Sequence, residues 1–292
     1  MLEGIFIAAV TPFKNDQVDF AALKQNLQTW CKTDISGILA LGSTSEFVFL
    51  NTEEKIRIIA AARNIMPPEK TLIAGIGCES VAETVRLGHA AAELGVKFLI
   101  AVNPHYYKPQ LKEDVLRRYF TEVAERVTVP LLIYNIPKFT GIHLSLDLIR
   151  QLAEHENIIG IKDSSGNLEQ YLGLMELNHF KVFTGDLNSL VQTTLMGVDG
   201  GIFALANAVP QQICDVFKLV KQDHAREAIK IHRAAMKLAR SAIGDFGLAG
   251  LKKLLQLMGY AGGQPRLPFA EVSTDDAAKI KQAYERFRKE ME

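Results

Sequence analysis

Eight short, unbroken apolar runs, each followed by a stretch of helical periodicity, constrain this chain more than any other feature. They fall at residues 5–10, 38–42, 71–76, 97–102, 130–135, 158–162, 181–185 and 201–205. A strand with one face in water alternates apolar and polar residues, whereas a run that is apolar throughout is buried on both faces, as in a parallel sheet covered by helices. Pro130 stands at a strand start, where its missing N–H is tolerated. The intervening segments carry helix signals: Asn51 with Glu54 three positions on reads as an N-cap with its capping partner, and 80–92 and 112–126 show the same periodicity. Eight such units close a barrel, where six would leave an open doubly wound sheet. The expected fold is therefore α/β, a (β/α)₈ TIM barrel over residues 1–224. After about Gln211 the strand pattern stops. Helical stretches at 225–242, 247–258 and 275–292 then predict a helical C-terminal extension, residues 225–292, packed on the barrel.

Composition excludes several function classes. Thirty-three basic residues balance thirty-three acidic ones, so no net field draws the chain to nucleic acid or to an anionic membrane surface. Cys31, Cys78 and Cys214 are odd in number and far apart, which fits a reducing compartment better than a disulfide framework or a zinc cluster. The N-terminal apolar run lacks a basic lead and is interrupted by Pro12, and no apolar stretch is long enough to span a bilayer. The expectation is a cytoplasmic protein with neither a nucleic-acid nor a membrane partner.

In a barrel of this kind the site lies at the C-terminal ends of the strands. Those ends carry Thr11, Gly42-Ser43-Thr44-Ser45-Glu46, Gly77, Asn103, Tyr134-Asn135, Lys162-Asp163, Gly185-Asp186 and Asn207. Lys162 closes its apolar run, so its side chain starts at the barrel mouth. Burial at such a mouth disfavours an ammonium, the usual route by which an enzyme lysine becomes an amine nucleophile; a solvated strand-end lysine is the plainer alternative. Tyr134 ends the preceding strand and should stand beside Lys162, either as a proton relay or as a packed tyrosine. The Ser43-Thr44 loop offers hydroxyls and backbone N–H groups suited to a carboxylate, or is simply a strand-to-helix turn. Tyr106-Tyr107 reads as interface or packing. Gly75-Ile76-Gly77 opens like a dinucleotide loop but has Ser80 where the third glycine belongs, no Walker lysine motif occurs, and the seven histidines form no HExxH pattern.

Taken together, Gly42-Ser43-Thr44-Ser45-Glu46, Asn103-Pro104-His105-Tyr106-Tyr107, Tyr134-Asn135-Ile136-Pro137 and Gly160-Ile161-Lys162-Asp163-Ser164 occur in the order and on the strands of a known family. Over nearly its whole length the chain resembles the dihydrodipicolinate synthase / N-acetylneuraminate lyase superfamily. The resemblance implies a class I aldolase or lyase, without metal or cofactor, that acts on pyruvate and an aldehyde. Lys162 would form the Schiff base, Tyr134 would shuttle protons, and Ser43 and Thr44 would grip the pyruvate carboxylate, with Thr44 also in the catalytic set. Gly185 and Ile202 on the last two strands would complete the substrate-binding set. Tyr107 would cross a subunit contact to finish a proton relay, which implies a homo-oligomer, dimer or tetramer.

Two departures bear on substrate. The synthase branch carries an arginine two residues beyond the proline of the tyrosine motif; here Phe139 follows Lys138, and a bidentate carboxylate clamp has no conservative replacement. Ser45 stands where the family loop has glycine. Stretches such as Gly77-Cys78-Glu79-Ser80 and Phe246-Gly247-Leu248-Ala249-Gly250-Leu251-Lys252-Lys253 are similar to the 4-hydroxy-2-oxoglutarate aldolase branch. The expected reaction is thus reversible cleavage of 4-hydroxy-2-oxoglutarate to pyruvate and glyoxylate. Dihydrodipicolinate synthase, 2-keto-3-deoxygluconate-type aldolase and N-acetylneuraminate-type lyase activities stand as alternatives, and a keto-acid-binding barrel is the non-enzymatic one.

Overall fold

The computed structural model describes residues 2–292; Met1, at the edge of the expected barrel segment, lies outside them. Eight parallel strands close on themselves: β1 (Gly4–Ala8), β2 (Gly37–Ala40), β3 (Thr71–Gly75), β4 (Phe98–Val102), β5 (Leu131–Asn135), β6 (Ile158–Asp163), β7 (Lys181–Thr184) and β8 (Gly200–Phe203). Each matches one of the eight apolar runs. The barrel closes where β8 meets β1, with Ile202 opposite Phe6. The TIM barrel is therefore present as expected.

Why the runs are unbroken is visible in the packing. Alternate residues belong to two separate apolar clusters. Phe6, Leu39, Ile100, Leu132, Phe183 and Ile202 fill the barrel interior, while Ile5, Ile38, Leu99, Leu131, Ile161 and Val182 pack outward against helices. Neither face meets water, so neither needs polar residues.

The outer layer is α1 (Phe20–Trp30), α2 (Thr52–Ile65), α3 (Val81–Glu93), α4 (Glu113–Arg126), α5 (Leu146–Ala153), α6 (Leu168–Met175), α7 (Leu190–Met196) and α8 (Pro210–Lys221). The Asn51–Glu54 capping box forms as read, each side chain bonded to the other residue's backbone N–H. Three further helices follow: α9 (Ala225–Ala239), α10 (Gly247–Leu257) and α11 (Thr274–Met291). Helix α9 packs on α8 and α11 and continues through a π turn, Arg240–Gly244. One element was not anticipated, a hairpin of two-residue strands, Phe13–Lys14 and Gln17–Val18, between β1 and α1. Its Asn15 and Asp16 take left-handed φ values of 51° and 61°, the backbone such a tight turn demands and Asn and Asp tolerate best. Among the described residues, no helix is long and apolar enough to cross a membrane.

Candidate active site

The register of β5 and β6 sets Tyr134 directly opposite Lys162 and Asn135 opposite Asp163. On its other side Lys162 faces Phe183 of β7. Side chains paired across parallel strands point the same way, and both Tyr134 and Phe183 belong to the interior cluster, so Lys162 is aimed into the barrel mouth. It is buried, 3% exposed, and its Nζ lies 4.1 Å from the centre of the Tyr134 ring. The expected neighbours are adjacent.

Two features hold the lysine. Gly185, at the end of β7, leaves no room for a side chain: a Cβ there would lie 2.9 Å from Lys162 Cε and 1.9 Å from Ser164 Oγ. Asp163, the next residue, is a clasp rather than a metal ligand. Its carboxylate accepts from Asn135 Nδ2 at 2.9 Å, Gln170 Nε2 at 2.6 Å, and the backbone N–H and hydroxyl of Ser165 at 2.7 and 2.5 Å. Its carbonyl accepts from the Tyr171 hydroxyl at 2.7 Å. The base of the lysine is thereby tied to β5 and α6. Asn207 does the same at the barrel seam, accepting from Val10 N–H at 3.0 Å and donating to Ala8 O at 2.7 Å.

Ser43 and Thr44 lie in a single 3₁₀ turn, Ser43–Ser45, directly after β2. Non-glycine residues in left-handed backbone bracket it, Leu41 at φ 62° and Glu46 at φ 56°. That conformation is costly for a bulky residue and persists only where the surroundings over-determine it. Ser45 supplies part of that restraint: its hydroxyl donates to Ala9 O at 2.6 Å and accepts from Leu41 N–H at 3.0 Å. The serine that departs from the family's glycine thus anchors the loop to the segment just after β1. Thr44 is buried and Ser43 half-buried, and Ile202 lines the barrel interior with Tyr134.

Tyr107 is not brought to this cluster within one chain. Its ring is 68% exposed, packs edge-on against Tyr106 at 5.0 Å, and borders a groove with Val115, Arg118 and Tyr119. Phe139 follows the one-turn helix start at Pro137 and is 60% exposed. It borders a cavity of about 230 Å³ with Ser43, Phe47, Phe49, His105 and Ile136, so the mouth beside the Ser43-Thr44 loop is walled largely by apolar side chains.

Sequence reading places Lys252 only within a stretch of family resemblance and misses its role beneath that mouth. Lys252 of α10 is 1% exposed, and its ammonium pairs with the Glu46 carboxylate, whose side chain has no exposure at all. Burial pushes Lys252 below the ordinary lysine range, while Glu46 pulls it back up. No periodic or local signal links positions 206 residues apart in sequence.

The comparisons with known proteins agree with this architecture. Residues 1–286 match the model of the dihydrodipicolinate synthetase family. The chain is 32% identical to the 4-hydroxy-tetrahydrodipicolinate synthase of Archaeoglobus fulgidus over 287 residues, 97% of each chain. It is 30% identical to that of Methanosphaerula palustris over 286 residues, 96% of this chain and 97% of that one. Among solved structures, YagE from E. coli K12, a prophage protein of the dihydrodipicolinic acid synthase family crystallised in complex with pyruvate, superposes with a TM-score of 0.92 at 27% identity, covering 99% of both chains. The chain belongs to the dihydrodipicolinate synthetase family, and with it to the carbon–carbon lyases that form a lysine Schiff base with pyruvate.

Proposed function

We propose that Lys162 is the Schiff-base lysine and that the protein joins pyruvate to an aldehyde, or runs that reaction in reverse. The observation that carries this reading is the pairing of Lys162 with Tyr134 in register at the barrel mouth, 4.1 Å from nitrogen to ring centre. The unprotonated Nζ attacks C2 of pyruvate, and the former carbonyl oxygen, taking up two protons, leaves as water to give an iminium ion. Loss of a C3 proton gives the enamine, whose C3 forms the new bond to the aldehyde carbon; water then releases the product and regenerates the lysine. Tyr134 is the group suited to carry protons through the dehydration and at the new hydroxyl. The hydroxyls and backbone N–H groups of Ser43 and Thr44 suit the pyruvate carboxylate, and Gly185 and Ile202 shape the floor beneath it.

For the aldehyde, the names of the relatives favour the 4-hydroxy-tetrahydrodipicolinate synthase reaction, and aspartate semialdehyde is the acceptor to test for it. That displaces 4-hydroxy-2-oxoglutarate cleavage as the first candidate. A second reading, cleavage of a different 4-hydroxy-2-keto acid or of 4-hydroxy-2-oxoglutarate itself, keeps support from one observation. Phe139 occupies the rim of the mouth where the synthase branch has arginine, and Lys138 offers only a point charge. Tyr107, exposed in the single chain, fits a role in a neighbouring subunit's proton relay within a homodimer or tetramer.

Borohydride reduction in the presence of pyruvate, read by mass spectrometry, tests the first step. A stable adduct mapped to Lys162 and absent from Lys162→Ala is expected; a folded wild-type protein that traps no pyruvate would sink the reading. Pyruvate consumption with aspartate semialdehyde, set against pyruvate release from 4-hydroxy-2-oxoglutarate, 2-keto-3-deoxygluconate and N-acetylneuraminate, then separates the acceptors.

A further inference from the structure

The C-terminal helices reach the active-site loop through two cations. Lys252 Nζ donates to Thr11 O at 2.8 Å and to Gln264 O at 2.7 Å, stands 4.5 Å from the centre of the Phe13 ring, and pairs with Glu46. Arg266 donates its backbone N–H to Glu46 Oε2 at 2.8 Å. The Arg266 guanidinium meanwhile grips both oxygens of Glu54 at 2.7 and 2.9 Å, Asp16 Oδ1 at 3.0 Å and Phe49 O at 3.0 Å. Three segments distant in sequence meet here: the hairpin after β1, the 43–49 loop with the start of α2, and the extension from α10 to Arg266.

Glu46 is where that network touches the site. It directly follows the Ser43–Ser45 turn and takes left-handed backbone. Its buried Oε1 finds no partner of hydrogen-bonding geometry among the described residues; the Lys252 ammonium compensates that oxygen, while the Arg266 N–H serves Oε2. A buried carboxylate stripped of its cation does not stay put: it protonates or moves toward water. Glu46 also borders the mouth cavity together with Ser43, so any such movement is transmitted to the neighbouring hydroxyls.

We infer that Lys252 is a positioning residue for keto-acid binding: by neutralising Glu46 from beneath, it holds the Ser43-Thr44 turn in the geometry that receives the substrate carboxylate. The inference rests on the carboxylate-binding role proposed above for Ser43 and Thr44. Lys252 itself touches no substrate. Its removal therefore weakens pyruvate binding without changing the chemistry at Lys162, and a C-terminal extension that contributes nothing to the barrel wall becomes a determinant of substrate affinity.

The test uses the full-length chain and borohydride trapping of pyruvate, fitted for its half-saturating pyruvate concentration and its limiting rate. Lys252→Met strips Glu46 of its cation, whereas the double variant with Glu46→Gln leaves no buried ion behind and is the control expected to fold and to bind pyruvate within about threefold of wild type. In Lys252→Met, loss of about one well-placed hydrogen bond to the substrate carboxylate raises half-saturation about tenfold or more, with the limiting rate within about threefold of wild type. Half-saturation within twofold of wild type in folded Lys252→Met overturns the inference. So does a fall in limiting rate at unchanged half-saturation, which would make the effect one on chemistry. If Lys252→Met does not fold, Lys252→Gln, polar but uncharged, carries the same two outcomes. Failure of the wild type to trap pyruvate removes the underlying reading as well, and is distinguished by occurring without any substitution.

Discussion

Replacing Gly185 by alanine perturbs the proposed nucleophile with a single methyl group. Gly185 is not among the glycines held in left-handed backbone, so the main chain accepts alanine and only space forbids it. The new Cβ would lie 2.9 Å from Lys162 Cε, short of the ~3.5–4.0 Å carbon–carbon optimum by about 0.6–1 Å. The lysine arm must yield by that amount, because the backbone behind it is clasped through Asp163. Misplacing a reacting group by about 1 Å costs about 10²-fold in rate, so the limiting rate of borohydride-trapped adduct formation in Gly185→Ala is expected to fall by about that factor. Overpacking also costs about 1–3 kcal/mol, or about 2–6 °C in Tm for a chain of this size. Adding Ser164→Ala removes the closer clash, with Ser164 Oγ at 1.9 Å, and should return much of the lost stability but none of the rate. A Gly185→Ala protein that traps pyruvate within threefold of wild type would refute this reasoning, as would recovery of rate on adding Ser164→Ala.

Subunit mixing addresses Tyr107. If its hydroxyl serves a neighbouring subunit, Lys162→Ala and Tyr107→Phe proteins, each poorly active alone, should regain activity when unfolded together and reassembled, because one hybrid site then holds both groups; mixtures no better than the sum of their parts would return Tyr107 to a packing role. Cys214 supplies a pH test. Burial pushes its thiol up to about 12, with Asp34 and Asp215 adding to the shift. At pH 8 the native thiol therefore holds about 10³-fold less thiolate than an unfolded one of pKa about 8.5, and it should be labelled correspondingly slowly until the chain is unfolded. Because the native pKa is the raised one, its contribution to stability is complete below about pH 8.5 and is lost as pH climbs toward 12. Equal labelling of native and denatured protein would contradict the burial argument.

Much of this molecule is legible in its sequence for one physical reason. When both faces of a strand are buried, residues such as Ile38, Leu39 and Ala40 leave no polar interruption to be misread. The runs overshoot their strands by a residue or two: Val10, Ile76 and Leu205 continue the apolar pattern after the ladder has ended, because the first loop residues are themselves covered. The Lys162–Tyr134 pair follows from strand order and register alone. The supporting parts do not. The hairpin at 13–18 is too short for any periodicity, the need for glycine at 185 depends on where a lysine from another strand passes, and the Glu46–Lys252 pair joins residues whose neighbourhood exists only after folding. Polar residues at strand ends are recognisable as a set, but which of them clasp the backbone and which face a substrate is decided by side-chain partners.

The one-turn segment that carries Phe139 is held mainly by its own backbone: Phe139 and Thr140 N–H both bond to Ile136 O, and the Thr140 hydroxyl returns to Ile136 O and Ile142 O. The Phe139 side chain contributes nothing to either apolar cluster. Exchanging a largely exposed side chain alters stability by only about 0.5 kcal/mol. The position at the rim of the proposed aldehyde site is therefore free to vary while the lysine, its clasp and the barrel stay unchanged. A lineage can thus change its second substrate at the rim in single steps, each intermediate still folding and still able to hold pyruvate.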